Sequence, residues 1–291
     1  MTYKLPYLVL LLLFSCSSSP VQQKNNEAST DTSTHNIYAW KGSYATEQKL
    51  QNRIAAPRGY TRQNVAKHSF ADWLRNVPLK PGKPDVMLYN GDAKGNQSAH
   101  YAVMDIDVGN KDLQQCADAV MRLRAEYLYS IAKYNDISFN FTNGFKCNYA
   151  KWREGYRVNV NGNNVSWNKT SMVDTSYATF RKYMDMVFNY CGTQSLSNEL
   201  KPVADLNNIK AGDVFIKGGF PGHAVIVMDV AVNSKGEKAF MLAQSYMPAQ
   251  NIQILHNPAH PEYSPWYKVD EVGEKLYTPE WTFERGQVME W

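Results

Sequence analysis

The sequence predicts an α+β domain in which antiparallel strands pack against helices, on three observations. Helical periodicity comes early, in two amphipathic stretches. Strand patterns come late, joined by the hairpin signal Asn233-Ser234-Lys235-Gly236. Between them stands His223–Ala231 (HAVIVMDVA), apolar on both faces as a central, fully covered strand must be.

The domain is expected over residues 37–291, after a segment of different character. Lys4 is followed by an apolar run, Leu5 to Phe14, of about ten residues. That length suits a signal-peptide core and falls well short of the roughly twenty apolar residues a membrane span needs. Residues 1–15 are therefore read as an export signal. Residues 16–36 follow as a Ser-, Thr-, Asn- and Gln-rich tether that cannot bury enough surface to offset its ordering entropy. The net charge of +4 is spread along the chain without a Lys/Arg block, which leaves no case for nucleic-acid binding.

Within the domain, Ser98–Val108 reads as a strand ending at the Gly109-Asn110 turn. A helix is expected next, capped by Asp112 with Gln115 at capping-box spacing. Leu113, Cys116, Val120, Leu123, Tyr127 and Ile131 form its apolar stripe. A second helix is expected over Thr175–Tyr190, with Cys191 on its stripe and Gly192 at its C-terminal cap. The Asn- and aromatic-rich stretch Phe139–Trp167 between them reads as strands and loops. Asp213–Lys217 is a short strand, the glycine-rich turn 218–222 follows, and Lys238–Gln244 returns beside the His223 strand.

His223 opens its strand straight after that turn. Asp229 lies on the same face by period-2 counting, but six residues at about 3.3 Å each put it roughly 20 Å away. A partner for the imidazole must come from the neighbouring strand. A hairpin centred at 233–235 sets the residue opposite His223 at about Gln244 to Tyr246, so Gln244 and Ser245 fall where a polar group would hold the ring. Cys116, in the first turn of its helix, is the candidate nucleophile, because unpaired N–H groups and the helix dipole favour a thiolate. Each has a plainer alternative: core packing for Cys116, a backbone hydrogen bond for His223, a satisfied buried amide for Gln244. Asp105 and Asp107 share a strand face near His100, but carboxylates on an exposed face are more often solvated, and neither metal nor other cofactor is expected. Arg122 and Glu126, four apart, form either a surface pair or a buried brace. Tyr156, Trp152, Trp167 and Trp266 suit either a glycan groove or the core. Three cysteines beyond Cys16 leave at least one thiol unpaired within the chain, with Cys147 and Cys191 as core fill or a disulfide.

Three resemblances bear on function. Leu13-Phe14-Ser15-Cys16 resembles the lipobox of bacterial lipoproteins, which implies cleavage before Cys16, its acylation, and a membrane partner through the lipid at the extracytoplasmic face of an envelope membrane. The run Ala211-Gly212-Asp213-Val214-Phe215 to Gly222-His223-Ala224-Val225-Ile226-Val227 resembles the pattern of NlpC-type and CHAP-type amidases, papain-like enzymes that cut wall peptides. That likeness implies a papain-like fold, catalysis by Cys116, His223 and Gln244, substrate contact through Ser245 and Tyr246, and peptidoglycan or another envelope peptide as partner. It lacks the usual Asp-Cys-Ser-Gly signature, since the helix reads Gln114-Gln115-Cys116-Ala117-Asp118, and the segment between Cys116 and His223 is longer than usual. The whole chain resembles a bacterial lipoprotein family classed as a domain of unknown function. The motifs that carry this are Gln115-Cys116-Ala117-Asp118-Ala119, Pro221-Gly222-His223-Ala224 and the run from Leu242 to Gln250 (LAQSYMPAQ). The expected function is thus an envelope lipoprotein acting as a cysteine amidase, with a non-catalytic binding lipoprotein as the alternative.

Overall fold

A computed structural model describes residues 1–3 and 37–291. The apolar run, Cys16 and the tether lie outside the described residues. Residues 37–291 form a single mixed α/β domain around one large antiparallel sheet.

The sheet takes strands from along the whole domain: β1 (Tyr60–Arg62), β2 (His100–Val103), β3 (Lys201–Pro202), β4 (Val214–Lys217), β5 (His223–Asn233), β6 (Lys238–Gln244), β7 (Gln253–Leu255), β8 (Trp266–Lys268) and β9 (Val288–Glu290). Their order is β2-β7-β6-β5-β4-β9-β3, with β1 added to β5 and β8 to β6. The long hairpin β5–β6 is the axis, turning at Ser234-Lys235 as the Asn-Ser-Lys-Gly signal predicts. Each long strand has two short partners laid end to end along its outer edge. On β5 these are β4 at His223–Ile226 and β1 at Ala231–Asn233.

One face of the sheet carries the helices α1 (Phe70–Arg75), α2 (Cys116–Ser130), α3 (Tyr177–Tyr190) and α4 (Thr193–Glu199), over the larger of two cores. The other face is covered by the C-terminal ribbon Lys275–Tyr277/Thr282–Glu284 and by Leu206, Val269 and Val272 over a smaller core. α2 is buried on almost every side, including Asp118, Arg122 and Glu126, which marks it as the central helix rather than a surface one. The Arg122–Glu126 pair is accordingly buried, and Tyr177 donates to Glu126 at 2.6 Å.

Several expectations are corrected. α2 starts at Cys116, four residues after Asp112, because the Asp112 carboxylate accepts from the Ala249 amide at 2.7 Å instead of capping. The free amide at the helix start is taken by Asp118, whose Oδ2 accepts from Gln115 N at 3.0 Å. α3 follows the predicted span, with Ser176 as its N-cap, but Cys191 ends it and Gly192 begins the additional helix α4. The Phe139–Trp167 stretch forms two ribbons, Ser138–Asn140/Lys146–Asn148 and Tyr156–Asn161/Asn164–Lys169, either side of the short helix Tyr149–Arg153. Trp152 and Trp266 are core residues, which removes both from any surface groove.

Asp229 does not share a face with His223. Leu242 pairs with Val227 while Met241 pairs with Asp229, so β5 holds one extra residue at Met228. That bulge reverses the alternation. Asp229 therefore points to the helical face, where Arg62 and Arg75 bind it at 2.6 and 2.7 Å.

Candidate active site

The site forms where the start of α2 meets the start of β5. Gly222 sets the approach: a Cβ there would stand 2.8 Å from Lys217 O and closer still to Gly219 O and Thr193 Oγ1. Only glycine lets the turn fold this tightly before His223. The Cys116 thiol lies close to the backbone of Ala224, one residue past His223, and to that of Ala117 at the start of α2. The Cys116 side chain thus meets the backbone of the His223 strand, while the His223 ring turns to the other face of the sheet, against Trp281 and Phe283.

His223 is held from the far side. Its Nε2 lies 2.8 Å from Gln244 Oε1. Gln244 Nε2 in turn donates to Glu280 Oε2 at 2.7 Å, and Lys94 Nζ donates to the same oxygen at 2.5 Å. These bonds settle each other's polarity. A carboxylate only accepts, so the Gln244 amide nitrogen faces Glu280 and its oxygen faces His223. The imidazole must then carry its proton on Nε2. Nδ1 is left as the basic nitrogen, without a hydrogen-bond partner among the described residues. The ring is boxed by Tyr246, Trp281 and Phe283 at centroid distances of 5.0, 5.3 and 5.9 Å.

Both reactive groups are neutral at rest. Burial pushes the Cys116 thiol up to about 11, the charge of Asp118 adds to this, and the nearby backbone groups offset part of it. Burial pulls His223 down to about 4, against the opposing pull of Gln244 and Glu280. The thiolate expected from a helix N-terminus is therefore corrected: Cys116 is 6 % exposed, and desolvation outweighs the dipole. No hydrogen bond joins Cys116 to His223.

Cys116 and Trp281 line a cleft of about 350 Å³ together with Asp118, Cys191, Phe220 and Met247. Phe220 is fully exposed and Met247 half-exposed, so two apolar side chains stand free at the rim. Tyr246 is half-buried beside Cys116 and His223. Ser245 departs from its expected place in substrate contact: it has no exposed surface, and its hydroxyl lies within hydrogen-bond distance of two backbone carbonyls, Gln114 O at 2.8 Å and Gln250 O at 2.9 Å. It bolts the segment leading into α2 to the LAQSYMPAQ motif. His100, Asp105 and Asp107 are separately engaged, with Pro84 O, Lys41 and the Gly109 amide. Among the described residues no group of three or more His, Cys, Asp or Glu side chains could hold a metal ion.

Sequence reasoning missed Glu280, Lys94 and Trp281. None lies in a motif or near Cys116 and His223 in the chain, and only the folded sheet brings them to Gln244.

A central helix packed across an antiparallel sheet, with a cysteine at its tip that lines a cleft and a Gln-held histidine buried on the adjoining strand, defines a mixed α/β domain with a candidate site at the helix tip. The chain belongs to the family described as Domain of unknown function (4846), whose model matches residues 50–290. No curated protein and no solved structure matches it.

Proposed function

We propose that this chain is a cell-envelope lipoprotein anchored through Cys16 and that its domain is a papain-like cysteine amidase acting on peptidoglycan or another envelope peptide. The observation that carries the reading is the chain His223–Gln244–Glu280–Lys94, which leaves Nδ1 as the imidazole's basic nitrogen on the strand that Cys116 abuts.

In this mechanism Cys116 Sγ attacks the amide carbonyl as its proton passes to His223 Nδ1, and the backbone N–H groups at the start of α2 receive the oxyanion. The imidazolium then protonates the departing amine, and water hydrolyses the thioester with His223 again as base. Gln244 orients the ring. It does not serve the oxyanion, since its amide nitrogen is committed to Glu280.

The test is hydrolysis of a panel of wall-derived peptides by the whole protein. Cys116→Ala is expected to abolish product while leaving the circular dichroism spectrum unchanged; undiminished turnover in that variant refutes the mechanism. Metabolic labelling with a radioactive fatty acid, present in the wild type and lost in Cys16→Ser, tests the anchor.

The high thiol pKa and the missing Cys116–His223 bond favour a second reading, a binding lipoprotein that uses the same cleft without chemistry. It predicts no hydrolysis of any envelope peptide and equal ligand capture by wild type and Cys116→Ala.

A further inference from the structure

The following rests on the cysteine-amidase reading and names the chemistry its substrate must carry. Asp118, two residues after Cys116 on α2, lines the same cleft and is only 7 % exposed. One carboxylate oxygen accepts from Gln115 N, while the other, Oδ1, is buried and has no partner. Burial pushes the Asp118 carboxyl well above the usual carboxylate range, so it ionises readily only when a donor or a cation meets it. None is at hand: the cleft has no lysine or arginine in its lining, and its other ionisable carboxylate is Asp112. Apart from Gln115 and Thr193 the remaining wall is mostly apolar, and Phe188 and Trp281 line it together with Asp118 and Cys116. An acidic group at the floor of an aromatic-walled cleft suits an organic ammonium, which gains both an ion pair and ring-face contacts.

We propose that Asp118 is an ammonium-binding residue, and that the peptide presented to Cys116 carries a free primary amine close to the bond to be cut. The same contact couples recognition to reactivity. An ammonium at Asp118 offsets the carboxylate charge that opposes ionisation of the thiol. The nucleophile is thus activated by the substrates that fit.

The probe is a set of thiol reagents of similar size and different charge, applied to the whole protein, with the site of reaction located by peptide mass mapping. At Cys116 the cationic 2-aminoethyl methanethiosulfonate should react about tenfold faster than neutral methyl methanethiosulfonate, once each rate is divided by that for a free cysteine derivative. The anionic 2-sulfonatoethyl reagent should be slowest. Asp118→Asn should bring the cation-to-neutral ratio to within about twofold of the free thiol, whereas Asp118→Glu and Asp112→Asn should keep most of it. A wild-type ratio indistinguishable from the free thiol overturns the proposal, whether or not the variants fold, and so does a ratio that survives Asp118→Asn or collapses instead in Asp112→Asn. These rates need no hydrolysis, so charge preference without turnover of any peptide would fault the amidase reading and leave Asp118 standing. Where turnover is found, a free-amine peptide should be preferred over its N-acetylated form in the wild type and not in Asp118→Asn.

Discussion

Replacing Glu280 by Ala should rotate the Gln244 amide and move the His223 proton from Nε2 to Nδ1. Glu280 accepts from both Gln244 and Lys94, and the Lys94 and Glu280 side chains are 7 % and 12 % exposed. Burial lowers the Lys94 pKa, and Glu280 works against that. Without Glu280 the ammonium needs another acceptor, and the Gln244 amide, which bonded the same carboxylate oxygen, can offer its own oxygen by turning over. The amide then turns its NH₂ toward His223, whose Nε2 must become the acceptor. Stability should fall by about 3–5 kcal/mol, the usual cost of stripping one partner from a buried ion pair. Loss of the Gln244 bond is coupled to that cost rather than added to it. The double variant Lys94→Met/Glu280→Gln removes both charges and leaves an amide acceptor for Gln244, so it should recover most of the stability and the original tautomer. Urea unfolding measures the first quantity, and ¹⁵N chemical shifts of the His223 ring report the second. An unchanged Nε2–H tautomer in Glu280→Ala, or a loss under about 1 kcal/mol, would refute the reasoning.

Three other outcomes follow from the same geometry. His223 is buried with its pKa at about 4 against 6.5 when unfolded, so between those values the unfolded chain binds a proton that the native one does not. Stability should therefore fall as pH drops through that window, at up to about 1.4 kcal/mol per unit, and His223→Gln should flatten the slope in urea titrations. Gly222→Ala should cost about 1–3 kcal/mol, as overpacking does, because its methyl would be forced against Lys217 O and Gly219 O; a melting temperature unchanged from wild type counts against the tight turn. Asp229→Asn should destabilise by about 3–5 kcal/mol by leaving Arg62 and Arg75 facing a neutral group, while the His223 ring shifts stay where they are, since the bulge puts Asp229 on the other face.

The sheet hairpin was legible because its signals are local. A four-residue turn signal and a two-faced apolar strand fix β5 and β6, and counting from the turn brings Gln244 to His223. The same counting failed for Asp229, since a bulge adds a residue with no mark in the sequence. Asp112 looked like a helix cap, and nothing local reveals that its carboxylate is taken by Ala249, 137 residues away. Cys191 and Gly192 read as the end of a helix, and so they are, but Gly192 also starts the next one. Ser245 illustrates a different limit: a serine beside a functional residue looks available until the two backbone carbonyls it serves are known.

The thiol shows why a motif can give a residue's position without its state. A helix N-terminus stabilises a negative charge by about 0.3–1 kcal/mol, or about 2 kcal/mol in partly buried settings. Raising a thiol from its ordinary value of 9 to about 11 takes somewhat more than 2 kcal/mol in the opposite direction, net of that help. The unfavourable part is burial together with Asp118, and neither can be read from the letters around Cys116. The His223 base, at about 4, is also too weak to deprotonate such a thiol unaided. Both shifts oppose transfer of the proton from Cys116 to His223 in the resting protein. On the amidase reading the ligand itself must favour that transfer, by replacing water around the ring and by offsetting the Asp118 charge. A peptide without the amine should consequently lose turnover number more than it raises KM, because what it lacks is activation of the nucleophile and not only a contact.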